Sequence, residues 1–281
     1  MKPKILVSFS GGKDSQACLI LTVKKYGAEN VEAVFCDTGW EHPDTYYHIN
    51  EVCKQLSVQL VILKSKYDFV SLSKHKKRFP STKARFCTVE LKIKPMIDYI
   101  LSLKNSCIII QGIRAKESKA RSEMNIECNY FKEYFEGKYS YRKNEVFEWC
   151  KNYDASVFRP IFEFTSQQVI DYILENGQQP NPLYKKGFSR VGCFPCIMSR
   201  QFEVKLISND NWAKERLFNA EKEVGRNFFA PNYIPQRFCK NRIYPTAIEV
   251  FDYVNRNNVG MIDMFYDEEI SCMSMYHGLC E

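Results

Sequence analysis

No apolar run in this chain approaches the length that a bilayer-spanning helix needs. No charged-then-apolar leader opens it either, because Met1 to Lys4 lead straight into a short strand-like run. Together these absences set aside a membrane span and a secretory signal, and the expected compartment is the cytoplasm. There is no internal repeat and no low-complexity tract, so repeat and fibrous architectures are also set aside. The G-x-x-x-x-G-K-[ST] spacing of a Walker loop is missing, as is G-x-G-x-x-G. Only one C-x-x-C occurs, at Cys193 and Cys196, so a metal knuckle built from two such turns is excluded.

What is present is ordinary in bulk. The 281 residues fit one large domain or two modest ones, and 45% hydrophobic with 26% charged residues describes a globular protein. Forty Lys+Arg against 33 Asp+Glu give +7, which suits an anionic ligand but is too mild to establish nucleic-acid binding. The densest basic cluster, Lys74-His75-Lys76-Lys77-Arg78 followed by Lys83 and Arg85, reads either as a solvated loop or as a rim that meets phosphates. Twelve cysteines without an export signal are not a disulfide framework. Cys18, Cys36, Cys53 and Cys107 lie within apolar runs and read as small core residues.

The first half alternates short apolar strands with helical stretches. Strands are expected at Ile5–Phe9, Val31–Cys36, Val58–Leu63, Cys107–Gln111 and Val157–Ile161. Helices are expected at Gln16–Tyr26, about Pro43–Leu56, and Lys92–Leu103, the last opened by Pro95; another starts after Thr165 as N-cap. Further helical segments are Asp210–Val224 and Thr246–Asn255. The pattern predicts an α/β fold, a doubly wound and mostly parallel sheet with a smaller cysteine-bearing C-terminal region. Residues 1–175 are read as a nucleotide-binding domain with an aromatic and charged insertion at about 119–156, and 176–281 as the C-terminal region.

The segment SFSGGKDS (Ser8 to Ser15) follows the first strand. Gly11 and Gly12 let backbone N–H groups converge on an anion, while Lys13 and the hydroxyls of Ser10 and Ser15 supplement them. A Gly-Gly turn alone can equally be a tight connection. FCDTGWEHPDTY, CTVELKIKP, GIRAKESKAR, RPIFEFTSQQVIDYI and NPLYKKGFSRVGCFPC follow in order. With the first segment they resemble the phosphoadenosine phosphosulfate (PAPS) reductase family and the wider group of PP-loop ATP pyrophosphatases (adenine-nucleotide α-hydrolases). The resemblance runs from about residue 4 to 200 and implies an adenine-nucleotide-binding, Rossmann-like fold. It implies phosphate contacts from Ser8, Ser10, Gly11, Gly12, Lys13, Asp14 and Ser15, and adenosine neighbours at Phe35 and Asp37. It also implies anion-gripping roles for Gly112, Arg114, Arg121 and Arg159. Lys13, Asp14 and Arg114 are the catalytic candidates, with Asp14 or Asp37 helping to hold Mg²⁺.

In the iron–sulfur members of the family, cysteines matching this chain's Cys87 and its C-x-x-C hold a four-iron cluster. The resemblance therefore implies a [4Fe–4S] cluster on Cys87, Cys193 and Cys196. Cys239 is the candidate fourth ligand, and Cys272 and Cys280 are held in reserve. Zinc and a bare C-x-x-C without metal remain the other readings. The intact Ser-Gly-Gly-Lys-Asp-Ser points to ATP-dependent adenylation in a sulfur-transfer pathway, with sulfur insertion into nucleic acid and a sulfur-donor protein as implied acceptor and partner. Reduction of PAPS or adenylyl sulfate, with Cys280 in the family's tail-cysteine role, is the alternative; a non-catalytic nucleotide-binding subunit is the third. Oligomeric state is not legible.

Overall fold

The computed structural model describes residues 2–240 and 243–256. Its centre is β1 (Lys4–Ser8), whose Ile5, Leu6 and Val7 are buried because helices cover both faces of the strand. β2 (Val31–Asp37) and β4 (Cys107–Ile110) flank it in parallel register. Beyond β2 lies β3 (Gln59–Lys64); beyond β4 come β6 (Ala155–Phe158) and then β5 (Glu127–Asn129). The six-stranded order is β3-β2-β1-β4-β6-β5, parallel except for β5.

The helices follow the chain as α1 (Lys13–Tyr26), α2 (Pro43–Gln55), α3 (Phe69–His75), α4 (Phe86–Thr88) and α5 (Lys94–Ser102). Next are α6 (Lys119–Ser122), α7 (Lys132–Phe135), α8 (Lys143–Cys150) and α9 (Ser166–Glu175). The last four are α10 (Pro182–Lys185), α11 (Gln201–Ser208), α12 (Asn211–Val224) and α13 (Ala247–Arg256).

Side chains alternate across the sheet with the two-residue period of a strand. Ile5 and Val7 of β1 join the cluster made with Ala17 and Ile20 of α1, Ile49 and Val52 of α2, and Val169 and Ile173 of α9. Leu6, between them, faces the opposite cluster of Met96 and Ile100 from α5 and Val146 and Trp149 from α8. A third cluster joins Trp40, Phe69 and Leu91 to Leu183, Phe194, Leu217 and Val250. It fastens the C-terminal segment over the carboxyl ends of the strands. There Trp40 Nε1 donates to the Pro195 carbonyl at 2.9 Å, and Glu41 forms a bridge with Cys193.

Two elements differ from the sequence expectation. The helix expected from Lys92 begins at Phe86 and runs through a π-turn (Val89–Ile93) into α5, so Pro95 lies within it rather than at its start. Proline has no N–H to donate, and the wider turn before it absorbs the lost bond, while the complete burial of Leu91, Ile93 and Ile97 holds the turn on the core. The aromatic stretch after residue 119 is no loose excursion. Phe131 is fully buried and meets Tyr130, Tyr134 and Trp149 edge-on, and Trp149 Nε1 donates to the Leu103 carbonyl. Its elements are three to eight residues long, too short for a helical or strand period to register.

Candidate functional site

The chain leaves β1 through Phe9 and Ser10 into Gly11 and Gly12, and α1 begins at Lys13. Gly11 has φ +79°, and a Cβ there would lie 2.9 Å from Ile49 Cγ1 and 3.0 Å from Thr45 Cγ2 of α2. Both the left-handed backbone and the close packing require glycine. Gly12 is the N-cap and supplies no side-chain acceptor, so the first turn of α1 presents backbone N–H groups and the positive end of the helix dipole. The turn is tied internally, since Ser15 Oγ donates to the Gly12 carbonyl at 3.0 Å and accepts from the Ser10 amide at 3.3 Å.

The loop after β4 closes on this turn at Gly112. A Cβ there would stand 2.7 Å from the Asp14 carbonyl carbon and the Ser15 nitrogen, so only glycine allows the approach. That approach delivers Arg114, which is 2% exposed and whose Nε lies 2.6 Å from Asp14 Oδ1. Lys13 Nζ is 3.3 Å from Asp14 Oδ2. Glu117 continues the chain of charges, 3.6 Å from Arg114 Nη2 and paired with Arg121 Nη1. Lys13, Asp14, Arg114, Glu117 and Arg121 thus form one run of alternating charge behind the turn. Burial favours the neutral acid at Asp14, but Lys13 and Arg114 outweigh it and hold the carboxyl below its ordinary value. Burial likewise opposes the Lys13 charge, yet the Asp14 carboxylate, with the Tyr184 phenol, raises its pKa.

Ser10, Gly12, Lys13, Asp14 and Ser15 line a cavity with about 140 Å³ of water-accessible space. Cys87, Cys193 and Cys196 line its other wall with Met198, and Arg85, only 2% exposed, lines it too. Cys239 does not. It lies fully buried in the third apolar cluster, its thiol 3.8 Å from the Pro235 carbonyl. Burial pushes the Cys193 thiol far above its usual pKa; Lys92, on the same cavity wall, pulls it down, and Glu41, whose Oε1 is 3.9 Å away, pushes it up. Among the described residues no three or more His, Cys, Asp or Glu form a metal-holding group. Cys272 and Cys280 lie outside the described residues. Among the described residues the cavity thus gathers three of the expected cysteine ligands, Cys87, Cys193 and Cys196, and leaves Cys239 in the apolar core.

The two carboxylates named for Mg²⁺ are both engaged within the protein. Both oxygens of Asp14 are held by Lys13 and Arg114. Asp37 Oδ1 accepts from Tyr46 and the Gly39 amide, and its Oδ2 faces Lys64 at 3.5 Å.

Other expected residues are placed elsewhere. Phe35 is packed in the core against Tyr46 and does not line the cavity. Ser8 ends β1, one residue before the turn proper. Arg159 lines a second cavity beside β5, where its Nη1 donates to the Asn125 carbonyl. The basic run that begins in the last turn of α3 is largely surface, with Lys74 pairing to Glu223 and His75 stacking on Tyr67. In the aromatic insertion Tyr130, Phe131 and Tyr134 are core residues, whereas Phe135 is 61% exposed.

Two contacts to the turn come from a segment whose individual residues carried no assignment. Asn181, fully buried, donates from Nδ2 to the Gly11 carbonyl at 3.2 Å, and Tyr184 Oη accepts the Lys13 N–H at 3.0 Å. Behind them Gln16 links His48, Gln178 and the Gln179 carbonyl. The only signal in the sequence was the N-P-L-Y run itself, which marks a capped helical turn and says nothing of what the turn touches.

Residues 4–199 match the family model described as the phosphoadenosine phosphosulfate reductase domain. An uncharacterised 37.8 kDa protein of Escherichia phage 186 is 29% identical over 98% of this chain and 96% of its own length. An uncharacterised protein of Methanocaldococcus jannaschii is 31% identical over 83% of this chain, which spans about half (53%) of that longer relative. Among solved structures, a phosphoadenylyl-sulfate reductase from Candida auris in a phosphate complex has a TM-score of 0.50 at 18% identity. The superposition covers 70% of this chain and 84% of that one, a likeness of fold.

Proposed function

From the premise that the chain belongs to the phosphoadenosine phosphosulfate reductase family, we propose that it is an ATP-dependent adenylating enzyme acting in sulfur transfer. The observation that carries this reading is the turn before α1. The turn, Lys13 and Asp14 face the same cavity as three cysteines, and Arg114 braces Asp14 from behind. In the reaction, a nucleophilic atom of the acceptor attacks the α-phosphorus of ATP. The bond from that phosphorus to the oxygen bridging the β-phosphate breaks, and pyrophosphate leaves with the electron pair. Lys13 and the helix amides stabilise the negative charge that grows on the leaving group. Arg114 acts at one remove, because it shares Asp14 with Lys13 and so limits how strongly that carboxylate competes for the ammonium. The sulfur-lined wall supports a sulfur-bearing acceptor or donor beside the adenylyl group. A nucleic-acid acceptor gains no support from the rings at residues 130–134, which are packed.

Reduction of an adenylyl-sulfate nucleotide is the second reading, favoured by Cys87, Cys193 and Cys196 sharing the phosphate cavity. Anaerobic titration with ATP and with PAPS separates the two. Selective ATP binding, with pyrophosphate released from it, supports adenylation, whereas tight PAPS binding with ATP ignored supports reduction. Within the first reading, Lys13→Ala is expected to lower pyrophosphate release by about 100- to 1,000-fold. Unchanged release in that variant would sink the phosphate-turn assignment.

A further inference from the structure

We propose that Tyr184 sets how many backbone donors the phosphate turn offers to an anion. The inference rests on the phosphate-turn reading above and deepens it. Lys13 is the first residue of α1, so its N–H is one of the orphan donors that make a helix start an anion site. An amide carries one hydrogen, and this one is directed to Tyr184 Oη at 3.0 Å. The phenol also lies against Gly12, where a Cβ would meet Oη at 3.5 Å. Lys13 is thereby divided. Its backbone donor is engaged by protein, while its ammonium sits 5.5 Å from the centroid of the same ring, on the cavity wall. An anion in the turn meets the ammonium first and gains the amide only by displacing the phenol.

The phenol is held in place by its own segment. Asn181 caps α10 by accepting the Leu183 amide at 3.0 Å, and its Nδ2 donates to the Gly11 carbonyl and to Thr45 Oγ1. Leu183 is 1% exposed in the third apolar cluster. Asn181 and Tyr184, three residues apart on one helical turn, thus grip the phosphate turn on either side of Gly12. Tyr184 itself is only half-buried, so core packing is not what its aromatic ring and hydroxyl serve. It is a positioning residue for the leaving group. It keeps the turn's hold on pyrophosphate below the maximum the backbone would allow.

The test is pyrophosphate affinity by calorimetry on the full chain, wild type against Tyr184→Phe. Phenylalanine keeps the ring under the ammonium and removes the hydroxyl that accepts the Lys13 N–H. The freed amide is expected to tighten pyrophosphate binding about fivefold, the equivalent of one net hydrogen bond of about 1 kcal/mol. A merely structural hydroxyl would weaken binding when lost, so equal or weaker affinity overturns the proposal. Because the freed donor is a backbone amide, the same gain is expected when Tyr184→Phe is placed on Lys13→Met. A gain that vanishes there would assign the effect to the ammonium and overturn the proposal as well. If the wild type binds no pyrophosphate at millimolar concentration, the phosphate-turn reading fails, and this proposal with it.

Discussion

Asp14 is held by Lys13 on one oxygen and Arg114 on the other, and every residue near it is chosen by that constraint. Gly112 is the least forgiving of them. Alanine there would drive a methyl group to 2.7 Å from the backbone of Asp14 and Ser15, atoms that cannot swing aside. Gly112→Ala is expected to cost about 1–3 kcal/mol in urea unfolding and to lose pyrophosphate binding together with it. Gly192, beside Cys193, has nothing within 4 Å of a built Cβ, so Gly192→Ala should change stability by no more than about 0.5 kcal/mol. Equal losses in the two variants would contradict the packing argument. At this scale much of the turn was legible, because Gly11, Gly12, Lys13, Asp14 and Ser15 are contiguous and their types carry the chemistry. Arg114 was legible from its motif. Tyr184, 171 residues from Lys13, and Asn181, 170 from Gly11, were not, since nothing local to them records what they touch. Cys239, the candidate fourth ligand, lies apart from the other three cysteines because apolar packing takes its side chain inward, which its sequence neighbours do not record.

Among elements, those with a strong local signal formed where expected. α9 starts one residue after Thr165, with a full capping box: Thr165 Oγ1 accepts the Gln168 amide at 3.2 Å and Gln168 Oε1 accepts the Thr165 amide at 2.8 Å. Thr165→Ala should lower stability by about 1 kcal/mol, with Thr165→Ser nearly neutral; chemical denaturation of both variants checks it. If the two variants lose equally, the cap is not the cause. Pro95 deceived because a proline is read as a helix start, whereas a π-turn let the helix continue past it under the pull of Leu91 and Ile93. β5 was missed for its length of three residues and its antiparallel sense, both of which leave no repeating pattern.

For the molecule as a whole, alternation of strand and helix gave a mostly parallel sheet, while the order of strands across it could not be read from their order along the chain. The whole structure also carries a pH dependence. His48 is buried under the phosphate turn, where burial pulls its pKa down to about 4 and Gln16 Oε1 lies 3.1 Å from its Nε2. An unfolded histidine titrates near about 6.5, so between those values the unfolded chain binds the extra proton. Stability is therefore complete above about pH 6.5 and falls as the pH drops toward 4, by an amount on the order of 3 kcal/mol. Asp14 adds a second loss at lower pH. Its contribution is present above the ordinary carboxylate pKa and disappears as the pH falls through its depressed folded value. Urea midpoints measured from pH 7.5 to 4 should slope downward in the wild type and flatten in His48→Gln. An unchanged slope in the variant would point to other groups.

The clasp of Asn181 and Tyr184 on Gly11 and Lys13 has a consequence in time. Ribosomes deliver the amino end first, and the last strand of the sheet, β6, is complete at Phe158. A nascent chain can thus assemble its whole sheet while the residues that brace its phosphate turn have yet to be translated. The phosphate turn is made before the segment that finishes it, so for these two elements the order of synthesis and the order of completion run in opposite directions.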